Sequence, residues 1–135
     1  MPGLWEKLNL GEHREILVVG APRSFASELK ALQRVRIERR ITAIKEVTFA
    51  LVFVVKQTEL NHSSAALTPK VTGDAVIWFA YPKGTSKRYA CDFNRDTGWD
   101  VLRSSGFDTV RQVAIDEDWS ALRFRRTEYI NHRPR

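Results

Sequence analysis

Asp116-Glu117-Asp118 sets three carboxylates side by side, and paired carboxylates can do general acid–base work when burial raises one pKa. Followed by Trp119, the same residues also read as the tight turn of a hairpin, where they are exposed. Lys83-Gly84-Thr85-Ser86-Lys87-Arg88 is a second candidate. Glycine allows close backbone approach, hydroxyls and N–H groups donate, and three cations neutralise charge, so an anion suits this segment. Its plainer alternative is a solvated surface loop. Arg23-Ser24 is the third, at the expected start of a helix, where free N–H groups and the dipole favour an anion and an arginine can clamp it. A capped helix with an exposed arginine accounts for the same residues. If both loops converge on one anion, Arg23, Ser24, Lys83, Thr85 and Ser86 are the site.

Other chemistries lack their residues. Asp92-Phe93-Asn94-Arg95-Asp96 starts like a calcium loop, but the glycine falls late, at Gly98, and Arg103 stands where a bidentate glutamate is required. His13, His62 and His132 are isolated from one another and from Cys91, so no metal-ligand spacing exists. Cys91 has no local histidine and reads as a small packed residue. No serine sits in a G-x-S-x-G elbow, and neither G-x-G-x-x-G nor G-x-x-x-x-G-K-[ST] occurs. The sequence therefore predicts no catalytic residue, no metal and no cofactor.

A chain of 135 residues suits one domain. Its lone cysteine cannot form an internal disulfide, and no secretory signal is visible, so a cytoplasmic protein is expected. The longest apolar runs, Phe49–Val55 and Ala75–Ala80, are far short of the ~20 residues that span a bilayer. The net charge of +6 is concentrated in two places. Residues 30–46 carry six cations against two carboxylates, and residues 119–135 carry five against one. Such stretches can bind phosphates, or they can be solvated edges.

The elements follow from hydrophobic patterning. Residues 16–19 form a short apolar run, as a strand does when both faces are covered. Gly20-Ala21-Pro22 ends it, and Ser24 is a candidate N-cap for the next helix. Residues 34–41 alternate apolar with charged, which suits an edge strand. Residues 49–55 and 75–81 are apolar throughout and belong at the centre of the sheet. A helix is expected between them over 58–71, and another over 98–105, capped by Asp96 or Thr97 and closed by Gly106. Residues 109–116 and 119–126, joined by Glu117-Asp118, must be antiparallel because no crossover fits between them. Residues 127–135 are expected to be a frayed basic tail.

With right-handed crossovers, these elements predict one α/β domain over residues 1–135. It is a Rossmann-like three-layer sandwich on a mainly parallel six-stranded sheet, ordered 2-1-3-4-6-5 with strand 6 antiparallel. The default ligand crevice is the switch point between strands 1 and 3. The two basic stretches then fall on opposite sides of the sheet, which makes a poor track for nucleic acid.

That order is similar to the core of class I methyltransferases, shortened by one strand and helix. Leu10-Gly11, Ile16-Leu17-Val18-Val19, Ala21-Pro22, Phe25, Pro82-Lys83, Thr85-Ser86, Val113, Asp116-Glu117, Trp119-Ser120, Leu122 and Phe124 resemble a small bacterial family of uncharacterised proteins. The resemblance implies a Rossmann-like fold and no assigned activity. It departs from methyltransferases in two places: Gly20-Ala21-Pro22-Arg23 has one glycine where a glycine-rich turn meets the cofactor, and Arg39-Arg40-Ile41-Thr42 stands where strand 2 should end in an acid for the ribose. The sequence thus favours a non-catalytic module that binds a small anionic ligand or a protein partner. The alternatives are a degenerate S-adenosylmethionine- or nucleotide-dependent transferase and a nucleic-acid-binding protein.

Overall fold

The computed structural model describes residues 3–130. Its six-stranded sheet has the order β2-β1-β3-β4-β6-β5, in which β1 is Glu15–Val19, β2 Arg36–Glu38, β3 Val47–Phe53, β4 Val71–Pro82, β5 Phe107–Ala114 and β6 Trp119–Arg126. The β1–β2, β1–β3 and β3–β4 pairs are parallel, while β6 is antiparallel to both its neighbours. This is the expected order and direction.

Period-two alternation divides the core between the two faces of the sheet. Leu17, Ala50, Val52, Ile77, Phe79, Leu122 and Phe124 face α3 (Gln57–Leu67) and α4 (Asp100–Arg103), which contribute Leu60, Leu67 and Leu102. Ile16, Val18, Phe49, Leu51, Trp78 and Ala121 face the other way, towards α1 (Leu4–Lys7) and α2 (Ala26–Lys30). The N-terminal segment is tied down by two indoles: Trp78 Nε1 donates to the Leu8 carbonyl at 2.7 Å, and Trp5 Nε1 to that of Glu28 at 3.0 Å.

Several boundaries differ from expectation, each for a local reason. Ser24 is no N-cap: Arg23–Phe25 forms a 3-10 turn behind Pro22, and α2 starts at Ala26 without a side-chain cap. Phe25 governs here, because its ring is buried 5.0 Å from that of Phe53 and 5.7 Å from that of Trp5. The helix expected over 58–71 ends at Leu67 and continues as a 3-10 turn, Thr68–Lys70, because Pro69 lacks an amide hydrogen. β4 starts four residues early, with Gly73 at φ +60° in the register shift opposite Val47 and Phe49. Neither Asp96 nor Thr97 caps α4; both amides donate to Asn94 Oδ1, and the helix starts only after Trp99. The hairpin loop is longer than Glu117-Asp118, since the Ile115 and Asp116 amides both donate to the Trp119 carbonyl. Of the tail expected to fray, Thr127–Ile130 forms a helical turn, α5, and 131–135 lie outside the described residues.

The alternating segment 34–41 contributes only Arg36–Glu38 to the sheet. β1 offers it just Glu15, Ile16 and Leu17 as partners, and Arg34 at φ +60° and a 3-10 turn over Ile41–Ala43 bend the chain away on either side.

At the opposite end of the sheet, Asp74 accepts two hydrogen bonds from the Arg125 guanidinium, at 2.7 and 2.5 Å. This bond holds the Asp74 carboxyl below the usual aspartate range. The folded pKa is the depressed one, so the pair stabilises above pH ~4 and its contribution is lost as pH falls below that. Urea titrations of Arg125→Gln should show a deficit against the parent at pH 6 that narrows as the pH drops through the carboxylate range. A deficit independent of pH would mean that the pair does not titrate in the folded state.

Candidate functional site

The chain forms a cavity of about 920 Å³ at the C-terminal end of β4, a size ordinary for a small-molecule site. Three strands supply its floor and flank. Tyr81 on β4 and Ser120 on β6 are direct register partners, and Gln112 lies beyond them on β5. Tyr81 is 4% exposed and Ser120 5%. Gln112 Nε2 donates to the Tyr81 hydroxyl at 3.3 Å. Burial pushes that hydroxyl above the ordinary phenol range, so it keeps its proton and remains a donor. The Ser120 hydroxyl stands beside it in the cavity lining.

The remaining walls come from the connection after β4. Phe93 is buried, with its ring 6.1 Å from Tyr81 and 5.3 Å from Trp99. The Asp92 carboxylate accepts the Gln57 amide at the start of α3 at 2.6 Å, and Trp99 Nε1 donates to the Asn94 carbonyl at 2.8 Å. Asn94 Oδ1 also accepts the Thr97 hydroxyl at 3.2 Å, which makes 94–97 a closed turn. Cys91 lines the cavity half-buried, and burial pushes its thiol up, away from the thiolate a nucleophile needs.

The candidate anion loop is part of this wall, with Lys83, Thr85 and Ser86 all lining the cavity. Its residues are not equally available. Ser86 Oγ donates to Asp118 at 2.8 Å and accepts the Arg88 and Tyr89 amides, so it braces the loop. Lys83 is half-buried and forms no ion pair among the described residues. Arg23 and Ser24 are exposed on the 3-10 turn after β1 and do not line this cavity. The carboxylates at 116–118 serve the hairpin: Asp116 Oδ1 accepts the amides of Asp118 and Trp119, while Asp118 holds Ser86.

The switch point between β1 and β3 is tightly built. Gly20 has φ +70°, and a Cβ there would lie 2.9 Å from the Phe53 carbonyl oxygen. Beyond β3, Glu59 Oε1 accepts the Val55 and Lys56 amides at 2.8 and 2.9 Å, closing the entry to α3. The structure corrects the sequence reading of β2. The strand stops at Glu38, so an acidic residue does close it, and Arg39 and Arg40 lie beyond the sheet. The Glu38 side chain is 17% exposed and is held by Arg36 Nε at 3.1 Å, an arginine that is itself largely in solvent.

The basic stretches lie apart, with β2 at one edge and β6 next to the other. The β6 arginines are also engaged within the protein. Arg125 binds Asp74, Arg126 sits 4.9 Å over the Phe107 ring, and Arg123 reaches Asn9 at 3.4 Å. No cluster of three or more candidate metal ligands occurs among the described residues, and no helix there is long and apolar enough to cross a membrane.

Comparison with solved structures finds the same fold in several methyltransferases. The N-methyltransferase NodS from Bradyrhizobium japonicum WM9 superposes with a TM-score of 0.57 at 15% identity, over 90% of this chain and 91% of that one. A SAM-dependent methyltransferase from Aquifex aeolicus gives 0.63 at 11% identity, over 90% and 87% of the two chains. At such identities the likeness is one of fold, and the chain has a methyltransferase-like core. No protein-family model and no curated protein matches the sequence.

Proposed function

We propose that this domain is a small-molecule transferase of the S-adenosylmethionine-dependent type, with a nucleoside at the C-terminal ends of β1 and β2 and a second substrate in the cavity over β4. The observation that carries this reading is Glu38. It closes β2 opposite Leu17, on the strand next to the one that leads into the Gly20 turn, and a carboxylate there can accept hydrogen bonds from a ribose diol. The fold supports it too, since NodS was also solved with S-adenosyl-L-homocysteine and superposes on this chain with a TM-score of 0.56 at 14% identity. The group that S-adenosylmethionine would supply is an electrophilic methyl. This chain's part is to hold nucleoside and acceptor in line, with Glu38 and the Gly20-Ala21 backbone on one side and the β4 cavity on the other.

A second reading keeps the cavity and drops the nucleoside: a non-catalytic module that holds a small anion at Lys83 and Thr85. It is favoured by the tight Gly20–Phe53 approach and by Glu59, which consumes two amides near the switch point.

Calorimetry with S-adenosyl-L-homocysteine separates the two. The transferase reading expects saturable binding that weakens roughly tenfold or more in Glu38→Ala, since hydrogen bonds to a charged group contribute about 1.5–3 kcal/mol. No heat at millimolar ligand would end that reading and leave the anion module.

A further inference from the structure

We propose that the cavity over β4, β6 and β5 takes a flat monoanionic molecule, an aryl carboxylate carrying a neutral oxygen function at its far end. The carboxylate lies at the rim by Lys83, and the second oxygen lies on the floor between the Tyr81 and Ser120 hydroxyls. The proposal shares with the preceding section only the view that this cavity is a substrate site; it requires no nucleoside.

The floor sets the first half of the specificity. Tyr81 and Ser120 are both more than nine-tenths buried, sit opposite each other on adjacent strands and line the cavity. Two hydroxyls held side by side in a largely buried floor can share a ligand oxygen, each with donor or acceptor capacity to offer. The Gln112 amide already donates to the Tyr81 oxygen, so the phenolic hydrogen is left to point elsewhere. Ser120 can donate and accept. Such a pair suits a hydroxyl or carbonyl. It does not suit a full negative charge, because no cationic side chain reaches the floor from β5 or β6: Gln112 and Ser120 are the cavity residues of those strands.

The rim sets the second half. Four charged residues line the cavity, and their availability differs. Asp92 is bound to the start of α3, and Arg95 and Asp96 pair with each other at 3.3 Å. Lys83 remains without a carboxylate and follows the end of β4, two residues beyond Tyr81. Between floor and rim, the Phe93 ring and Pro82 supply a dry wall for an aromatic or otherwise planar body. A molecule that spans the site therefore needs a neutral oxygen, a flat apolar middle and an anion, in that order.

The test is a heteronuclear NMR titration of the full chain with 4-hydroxybenzoate, benzoate and 4-hydroxybenzyl alcohol. The proposal expects 4-hydroxybenzoate to bind tightest, with shifts centred on Tyr81, Phe93 and Ser120. Ser120→Ala should remove most of its roughly five- to tenfold advantage over benzoate, the size of one hydrogen bond. Lys83→Gln should weaken both acids and leave the alcohol unchanged, which a merely structural lysine would not do. Equal affinity for all three probes, shifts elsewhere, or no binding at millimolar concentration would overturn the proposal. None of these outcomes depends on whether S-adenosyl-L-homocysteine binds, so the two readings can fail separately.

Discussion

Trp99→Ala should lower the unfolding free energy by about 3–5 kcal/mol, the usual cost of emptying a tryptophan site in a core. Trp99 is fully buried and is the hub of an aromatic cluster, with ring centroids 5.2 Å from Phe124, 5.3 Å from Phe93, 5.6 Å from Tyr81 and 6.2 Å from Phe79. All four of those rings belong to the sheet or the cavity wall, so one deletion loosens both. Set against a domain stability of about 5–15 kcal/mol, the loss is a large fraction of the total. Trp99→Phe keeps most of the ring contacts and gives up the bond to the Asn94 carbonyl, so it should cost only about 1–2 kcal/mol. Urea unfolding of the three proteins reads both numbers. A Trp99→Ala loss below about 1 kcal/mol would mean that the cluster does not hold the 92–99 segment in place.

The second large effect is expected at Gly20. Alanine there pays twice: about 1–2 kcal/mol for a left-handed backbone, and a further amount for the 2.9 Å approach to the Phe53 carbonyl oxygen. That oxygen is backbone within the central sheet and cannot swing aside. Gly73→Ala supplies the control, because Gly73 has φ +60° with nothing within 4 Å of a Cβ. Gly20→Ala should therefore be the more destabilising by at least about 1 kcal/mol. Equal losses in thermal or urea unfolding would show that the contact relaxes freely.

Sheet order was legible because it depends on averages over whole segments. Two all-apolar runs had to be central, the alternating basic run had to be an edge, and a connection too short for a crossover forced the last pair antiparallel. What the sequence hid was decided by single partners. Whether β2 ends at Glu38 or runs on through Arg40 depends on how many residues β1 offers, and that number is no property of residues 34–41. The same limit applied to the site. Lys83, Thr85 and Ser86 could be picked out by residue type and place, yet the diversion of Ser86 to Asp118 comes from a turn thirty residues away. Tyr81, Ser120 and Gln112 were invisible as a group, since only the register of three strands assembles them. Tyr81 ends an apolar run and Ser120 sits in a hairpin strand, so each read as part of an element. A hydroxyl near the C-terminal end of an apolar strand was the one signal that could have drawn attention to Tyr81, while Ser120, at the start of β6, and Gln112 carried none.

Of the sheet's five pairings, only β5–β6 joins strands separated by a short loop, and this has a consequence for how the molecule comes into being. The hairpin is the last part of the sheet to be made, yet β4, the longest strand, depends on it for one of its two flanks. Until residue 126 has been made, the Ile77–Pro82 backbone has one partnered side and one bare side. The hairpin can then form quickly from local contacts and dock as a unit, whereas the parallel pairs must first close much longer loops. The final twenty or so residues of the sheet thus act as a built-in closure for the nascent chain, and a chain cut short before them would carry a sticky central strand with nothing to cover it.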